Sequence, residues 1–414
     1  MCKITIIDSI MGSGKTTWSI DKMNNDIKNN YIYITPYLTE IQRIKQQVTN
    51  KKFYEPINLG NGKQDNLHDL ILQEKNIAST HALFKTSDEI TKSLLEASNY
   101  ILILDEVMDV IEEVKLKKDD IKLLLDNDII SIEKDNNNLV IWNEDKLELD
   151  TQYNYLKKMC LNKNVFMIDN VMLMWTFPVS IFNSFKEVYV LTYQFKGQIQ
   201  KYYYDLYNID YEYKSINQVN GKYEICNYIE KYDMEDIRNK IKILEDDKLN
   251  SIGKNEYALS KSWFDNNKIL VTKLKNNVYN YFKRKIKGKS KDNMWTTFKE
   301  YKNKISGEGY TKGFVSLNCR ATNDYCDKIN LAYCSNRFLN PIIKRFFIDR
   351  GVKVNEEIFA LSELIQWIWR SRIRKGEEIN LYIPSSRMRR LLKDWLEVKN
   401  IEDDIRQILN KEQK

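Results

Sequence analysis

The stretch from Ile4 to Trp18 constrains this chain more than any other. An apolar, β-branched run, Ile4 to Ile7, reads as a buried strand of a parallel sheet. It breaks into Ser9-Ile10-Met11-Gly12-Ser13-Gly14-Lys15-Thr16, and a helical pattern follows at once. Strand, glycine loop, Gly-Lys-Thr and helix in that order make a phosphate-binding loop. Gly12 and Gly14 let backbone N–H groups curl around phosphate oxygens at the positive end of the next helix. Ser13 and Thr17 belong to the same cradle. Lys15 brings a point charge to the terminal phosphates, and the Thr16 hydroxyl is a ligand for Mg²⁺, so ATP and Mg²⁺ are the expected cofactors. One position departs from the pattern: Ser9 stands where the first glycine is usual.

Further along, Tyr100–Leu104 is a second buried strand, ending in Asp105 and Glu106. Ligands of doubly wound sheets gather at the C-terminal ends of the strands. Asp105 is therefore expected beside Thr16, holding the metal through water, with Glu106 orienting or deprotonating the attacking water. Between them, Tyr31–Thr35 alternates into Pro36, and Asn76–Phe84 carries the polar tip Ser79-Thr80-His81. Residues 119–150 break the strand–helix alternation. There Ile129–Glu133 and Leu139–Trp142, joined by asparagines, predict a hairpin insertion. Val165–Asp169 and Val188–Tyr193 are read as further strands. The latter presents Thr192, either a ligand-sensing hydroxyl or a locally satisfied strand end.

From Gly197 the pattern changes, and a boundary is expected at 205/206. The second half is read as a charged helix (Met234–Leu249), a strand (Lys268–Thr272) and a helix from Asn277 running into the basic run Lys283–Lys291. That run is either a solvated loop or a phosphate contact. Next come a helix (Trp295–Ile305), a strand from Gly313 into Arg320-Ala321-Thr322-Asn323, a helix Glu363–Arg374, a strand (Ile379–Ile383) and a helix capped by Ser385. On the predicted helix, Arg370 and Arg374 share a face, with Gln366 one turn earlier.

Composition narrows the class. With 414 residues, 43% hydrophobic and 30% charged, the chain is globular and long enough for two domains. Apolar runs are too short for a membrane span, the N-terminus leaves no room for a signal peptide, and six cysteines lack close pairing. A reducing cytoplasm is expected, that of a host if the chain is phage-encoded. The net charge of +7 permits nucleic-acid contact.

Taken together, Gly12–Thr16, Asp105-Glu106 and Gln366-x-x-x-Arg370-x-x-x-Arg374 resemble superfamily-two (DEAD/DEAH-like) helicases, most of all compact helicases encoded by bacteriophages. The resemblance implies an α/β fold of two tandem RecA-like domains with mainly parallel sheets, residues 1–205 and 206–414, and a small hairpin insertion in the first. It implies an ATP hydrolase with Arg370 and Arg374 as fingers on the phosphates and Gln366 at the nucleotide. Trp369 replaces the family's glycine, and the spacing leaves Arg372 or Arg374 as the second finger. It further implies nucleic-acid contacts by Thr35, Pro36, Ser79, Thr80, His81, Arg320, Thr322 and Asn323, and coupling by Thr192. The expected activity is helicase or translocase, on DNA rather than RNA, in phage replication or recombination and with partners from those processes. A DNA-packaging motor and a non-catalytic binder of nucleic acid or a host factor are the alternatives.

Overall fold

The apolar runs become strands wherever their two faces can both be covered. In the computed structural model, which describes residues 2–60, 62–317 and 324–397, the chain forms two compact α/β units. The first holds residues 1–9, 13–227 and 341–354, and the second holds 10–12, 228–340 and 355 onward.

The first unit opens with β1 (Lys3–Asp8), β2 (Asn30–Thr35), the short β3 (Phe53–Tyr54), β4 (Asn76–Thr80) and β5 (Tyr100–Asp105). The chain then leaves the sheet for β6 (Ile111–Val114), β7 (Ile130–Glu133), β8 (Leu139–Trp142), β9 (Val165–Ile168) and β10 (Met172–Thr176), and returns as β11 (Glu187–Thr192), β12 (Tyr211–Val219) and β13 (Lys222–Asn227). The main sheet runs β13-β12-β1-β11-β5-β2-β4-β3, parallel except for β13. Its central strands are buried on both faces, with Ile6, Ile7, Leu102, Ile103 and Val190 wholly enclosed, as crossover helices on each side require.

Two expectations change here. The predicted hairpin forms as β7 and β8, with Asn137 and Asn138 left-handed at its turn. It is, however, only part of a five-stranded sheet, β6-β10-β9-β8-β7, whose strands pair antiparallel. The insertion therefore spans Ile111 to Thr176 rather than 119–150, and β9 belongs to it. The hairpin β12–β13, which the sequence reading assigns to the second domain, pairs with β1 and lengthens the first sheet. Its Asn220-Gly221 turn has both residues at positive φ, the conformation that suits a two-residue hairpin. The neighbouring tyrosines are core: Tyr202, Tyr203 and Tyr204 are buried.

A segment from the second half, 341–354, also packs on the first unit. Its helix Pro341–Ile348 sets Phe346 edge-on to Phe166 of β9. Arg345 pairs with Asp169 at 2.9 Å. Arg350 lies over Phe346, 4.0 Å from the ring centre, and donates to the Asn137 carbonyl.

In the second unit, β14 (Ile241–Ile243), β15 (Asn293–Thr296), β16 (Asn330–Tyr333) and β17 (Ile379–Tyr382) form a parallel sheet in the order β14-β17-β16-β15. Local patterns mislead more often here. Lys268–Thr272, expected as a strand, opens the helix Lys268–Asn280, in which Val271, Leu274 and Val278 face the core while Ile269 is 86% exposed. A four-residue apolar run does not separate strand from helix, and the spacing beyond it decides. The expected helix Met234–Leu249 contains β14 between helices Glu235–Lys240 and Asp247–Asn250. The expected helix Trp295–Ile305 is α-helical only over Lys302–Ile305, because Trp295 and Thr296 end β15. In place of a strand from Gly313 there is a tight turn, Thr311–Gly313, and a single bridge from Phe314 to Trp295. The strand at Ile379 and the Ser385 cap, which accepts from the Met388 amide, are as expected.

Candidate phosphate-loop site

The loop begins where β1 ends. Asp8 is 2% exposed and its carboxylate accepts from the backbone amides of Gln194 and Phe195, at 2.9 and 3.0 Å. Burial pushes this carboxyl up to about 6, against the pull of those two amides and of Lys15. Ser9 follows, wholly buried. Its amide donates to the Thr192 carbonyl and its hydroxyl accepts from the Ile216 amide at 2.8 Å. The serine in place of the usual first glycine thus ties the loop to β12, a bond glycine cannot make.

Gly12 and Gly14 then sit at φ of +85° and +89°, a region that costs other residues about 1–2 kcal/mol. The helix Lys15–Asn25 starts directly after Gly14, with no acidic residue in its first turn. Lys15 folds back and donates to the Ser9 carbonyl at 2.5 Å. The Ser13 hydroxyl is buried with no hydrogen-bond partner. The ring of Tyr223, on β13, packs against Gly14: a Cβ there would come within 2.2 Å of Cδ1.

Strand register aligns the rest. Asp8 is opposite Thr192, and Leu191 is opposite Asp105, so β1, β11 and β5 end side by side. Burial, and next the neighbouring Glu106, push the half-buried Asp105 carboxyl up to about 7; the Tyr33 hydroxyl and Lys15 act the other way. Glu106 has φ of +81° and donates its amide to the Leu191 carbonyl. A non-glycine residue held there is strained, and such strain collects at functional sites. Thr192 and Thr35 are fully buried, each with a hydroxyl lacking a partner. Thr35 is level with Thr80 at the ends of β2 and β4, and Pro36 follows it, half-buried. Ser79 and His81 are buried, and the Thr80 side chain caps the helix His81–Phe84.

In the second unit the late arginines differ from the sequence reading. The helix Glu356–Ile368 ends before Arg370, so Arg370 and Arg374 do not share a helical face. Arg370 is 5% exposed, whereas Arg374 is exposed on the turn Arg372–Lys375. Arg372 pairs with Glu377, and Gln366 donates to the Ser362 hydroxyl at 3.4 Å. Arg320, Thr322 and Asn323 lie outside the described residues. Sequence reasoning missed Asp8, Tyr33 and Tyr223. Asp8 stands in plain view before the loop, but Tyr223 reaches Gly14 only through the pairing of β12 with β1, which no local pattern signals.

The inserted sheet, residues 111–175, matches the YonV middle domain, and residues 235–396 match the YonV C-terminal Rossmann-like domain. The SPbeta prophage-derived uncharacterized protein YonV of Bacillus subtilis (strain 168) is 48% identical over 411 residues, covering 96% of this chain and 99% of that one. The chain belongs to the YonV family. Among solved structures, one titled "Structure of S. tokodaii Xpd4" is similar with a TM-score of 0.50 at 11% identity, over 95% of this chain and 94% of that one. Another, titled "XPD_Helicase", reaches 0.44 at 12% identity, over 95% and 94%. At 11% identity the likeness to the first of these is one of fold: this chain has the two-unit α/β architecture with mainly parallel sheets. No helix among the described residues is long and apolar enough to cross a membrane.

Proposed function

We propose that this protein is an ATP-dependent nucleic-acid helicase or translocase. One observation supports this above the others. A glycine loop with the backbone sign phosphate binding needs runs straight into a helix, beside two strand ends that carry Asp105 and Thr192. The buried Ser13 hydroxyl without a partner fits a cradle built for phosphate oxygens. The first unit is then the RecA-like ATP-binding domain and the second the helicase C-terminal domain.

In this reading Lys15 exchanges the Ser9 carbonyl for the terminal phosphates. Gly12, Ser13, Gly14 and Thr17 wrap the polyphosphate, with Gln366 contributing at the nucleotide. Thr16 and Asp105 would hold Mg²⁺, which when bound offsets the charge of the phosphates. A divalent cation bound there would favour the Asp105 carboxylate against the burial that raises it to about 7. Glu106 orients the attacking water, its side chain re-aimed by the left-handed backbone. Thr192 hangs from the same strand end as the loop through the Ser9 amide, so a shift of one shifts the other. Arg370, with Arg374, supplies positive charge from the second unit, a contribution worth on the order of 10³–10⁵ in rate for such fingers. Thr35, Pro36, Ser79, Thr80, His81, Arg320, Thr322 and Asn323 contact the strand, DNA in preference to RNA. The prophage origin of the YonV relative favours a role in phage replication or recombination.

ATP turnover measured alone and with single-stranded DNA, duplex DNA and RNA tests this. Stimulation by a strand, abolished in Lys15→Ala, is expected. ATP binding without turnover under every condition would favour a regulatory binder, and stimulation by duplex alone a packaging-type motor.

A further inference from the structure

The basic run Lys283–Lys291 has no part in the mechanism above, yet the fold holds it with care. At the N-terminal ends of β15, β16 and β17, three buried or half-buried asparagines form a ladder. Asn380 donates to Asn330 and Asn330 to Asn293, each at 3.0 Å, and Asn293 donates to the Gly309 carbonyl. The basic loop lies on this ladder through Gly288. A Cβ at that position would stand 2.4 Å from Asn330 Nδ2 and 2.8 Å from Asn293 Oδ1, so any side chain there must push the ladder's asparagines aside. Three more bonds hold the loop: Gly288 N to the Phe282 carbonyl, Lys328 Nζ to the Lys291 carbonyl at 2.5 Å, and Ile329 N to the Asp292 carbonyl. A charge run that serves only solubility needs no such anchoring.

Its cations divide into two sets. Lys283 and Lys285 are paired, with Glu308 and Asp246. Arg284, Lys287, Lys289 and Lys291 are exposed, with no carboxylate partner among the described residues. A rigid backbone that presents unpaired cations has already met the ordering cost a binding loop would otherwise incur. We propose that this loop, at the N-terminal edge of the second unit's sheet, is a binding site for the phosphate backbone of single-stranded nucleic acid. It reads charge rather than base. The identity of the partner rests on the helicase or translocase reading; the anchored, unpaired cations do not.

Binding of fluorescein-labelled oligo-dT to the full chain, titrated over a series of salt concentrations, tests the site. Single-strand contacts each contribute about 0.7 to the slope of log K against log salt. The Lys287→Gln/Lys289→Gln/Lys291→Gln triple variant should lower that slope by about two and weaken binding at low salt by about tenfold or more. Its ATP binding and strand-free ATP turnover should be unchanged, which also shows that it folds. The triple Lys→Arg variant should keep the wild-type slope. Wild-type slope and affinity in the Gln variant would overturn the assignment while leaving the motor reading intact. Loss of slope for duplex but not for oligo-dT would overturn the single-strand preference. A wild-type chain that binds ATP yet neither nucleic acid would overturn this site and the helicase reading together, without touching the phosphate loop.

Discussion

Replacing Gly14 with alanine should damage the loop by two separable routes. The backbone there has φ of +89°, so any side chain costs about 1–2 kcal/mol. In addition, the new methyl would stand 2.2 Å from Cδ1 and Cε1 of Tyr223. The ring must swing off its seat, and overpacking of this kind costs about 1–3 kcal/mol. The expected total for Gly14→Ala is therefore about 2–5 kcal/mol, felt locally because both groups flank the helix Lys15–Asn25. Tyr223→Ala in the same molecule removes the clash and leaves the backbone strain. The double variant should thus be less destabilised than the sum of the two single ones by about 1–3 kcal/mol. Amide hydrogen exchange over Trp18–Asn25 gives the local opening free energy in all four proteins. Additivity within about 0.5 kcal/mol would refute the claim that the tyrosine, not the backbone alone, requires glycine there.

Three other perturbations separate the roles assigned to single groups. Asp8 titrates at about 6 when folded, above an ordinary carboxyl, so the folded chain holds the proton longer and loses stability as pH climbs from about 4 to about 6. A rise of that size corresponds to about 3 kcal/mol. The stability difference between wild type and Asp8→Asn, from urea unfolding, should move in Asn's favour by that order across the window; a flat difference would dismiss the buried-carboxylate account. Thr192→Val removes a buried hydroxyl that has no partner, so stability should hold or rise by about 1 kcal/mol while strand stimulation of ATP turnover falls; unchanged stimulation would end its coupling role. Arg370→Ala should leave ATP affinity within about twofold and cut turnover by about 10³ or more, and undiminished turnover would remove the finger assignment.

What could be read from the chain differs sharply between its halves. In the first unit the strands β1, β2, β5 and β11 are long, apolar runs that end in marked residues: Asp8, Thr35, Asp105, Thr192. Length and composition agree there, so period and position point to the same answer. In the second unit the strands are three or four residues long and carry asparagine at the ladder: Asn-Met-Trp-Thr in β15, Asn-Leu-Ala-Tyr in β16. Such segments fall below what periodicity resolves, and the signal lies in cross-strand asparagine bonds that only pairing reveals. The inserted sheet is half legible for a similar reason. Its β7–β8 turn announces itself, whereas β6 and β10 are brought together from opposite ends of the insertion. The arginine helix departs from its pattern at its end: Trp369 and Arg370 continue the helical spacing, but Trp369 caps the helix and the chain turns at Arg370.

The two ends of the main sheet differ, and the difference sets apart the C-terminal edge, where the phosphate loop lies. At the opposite edge polar groups are matched: the Tyr31 hydroxyl donates to Asp26 at 2.6 Å, the Tyr100 hydroxyl to the Lys75 carbonyl, and Asn76 accepts from the Tyr31 amide. At the C-terminal edge several groups stay unmatched. Ser13, Thr35 and Thr192 bury hydroxyls without partners, Glu106 holds a left-handed backbone, and burial raises both Asp8 and Asp105. Each of these features costs on the order of 1–3 kcal/mol, and folding alone gives no reason to collect them along neighbouring strands. A polyanion and its cation bound at the loop would satisfy the Ser13 hydroxyl and stabilise the carboxylate of Asp105 together, at the positive end of the helix Lys15–Asn25. Stability given up at one edge and kept at the other is what distinguishes a prepared site from a loosely packed sheet end.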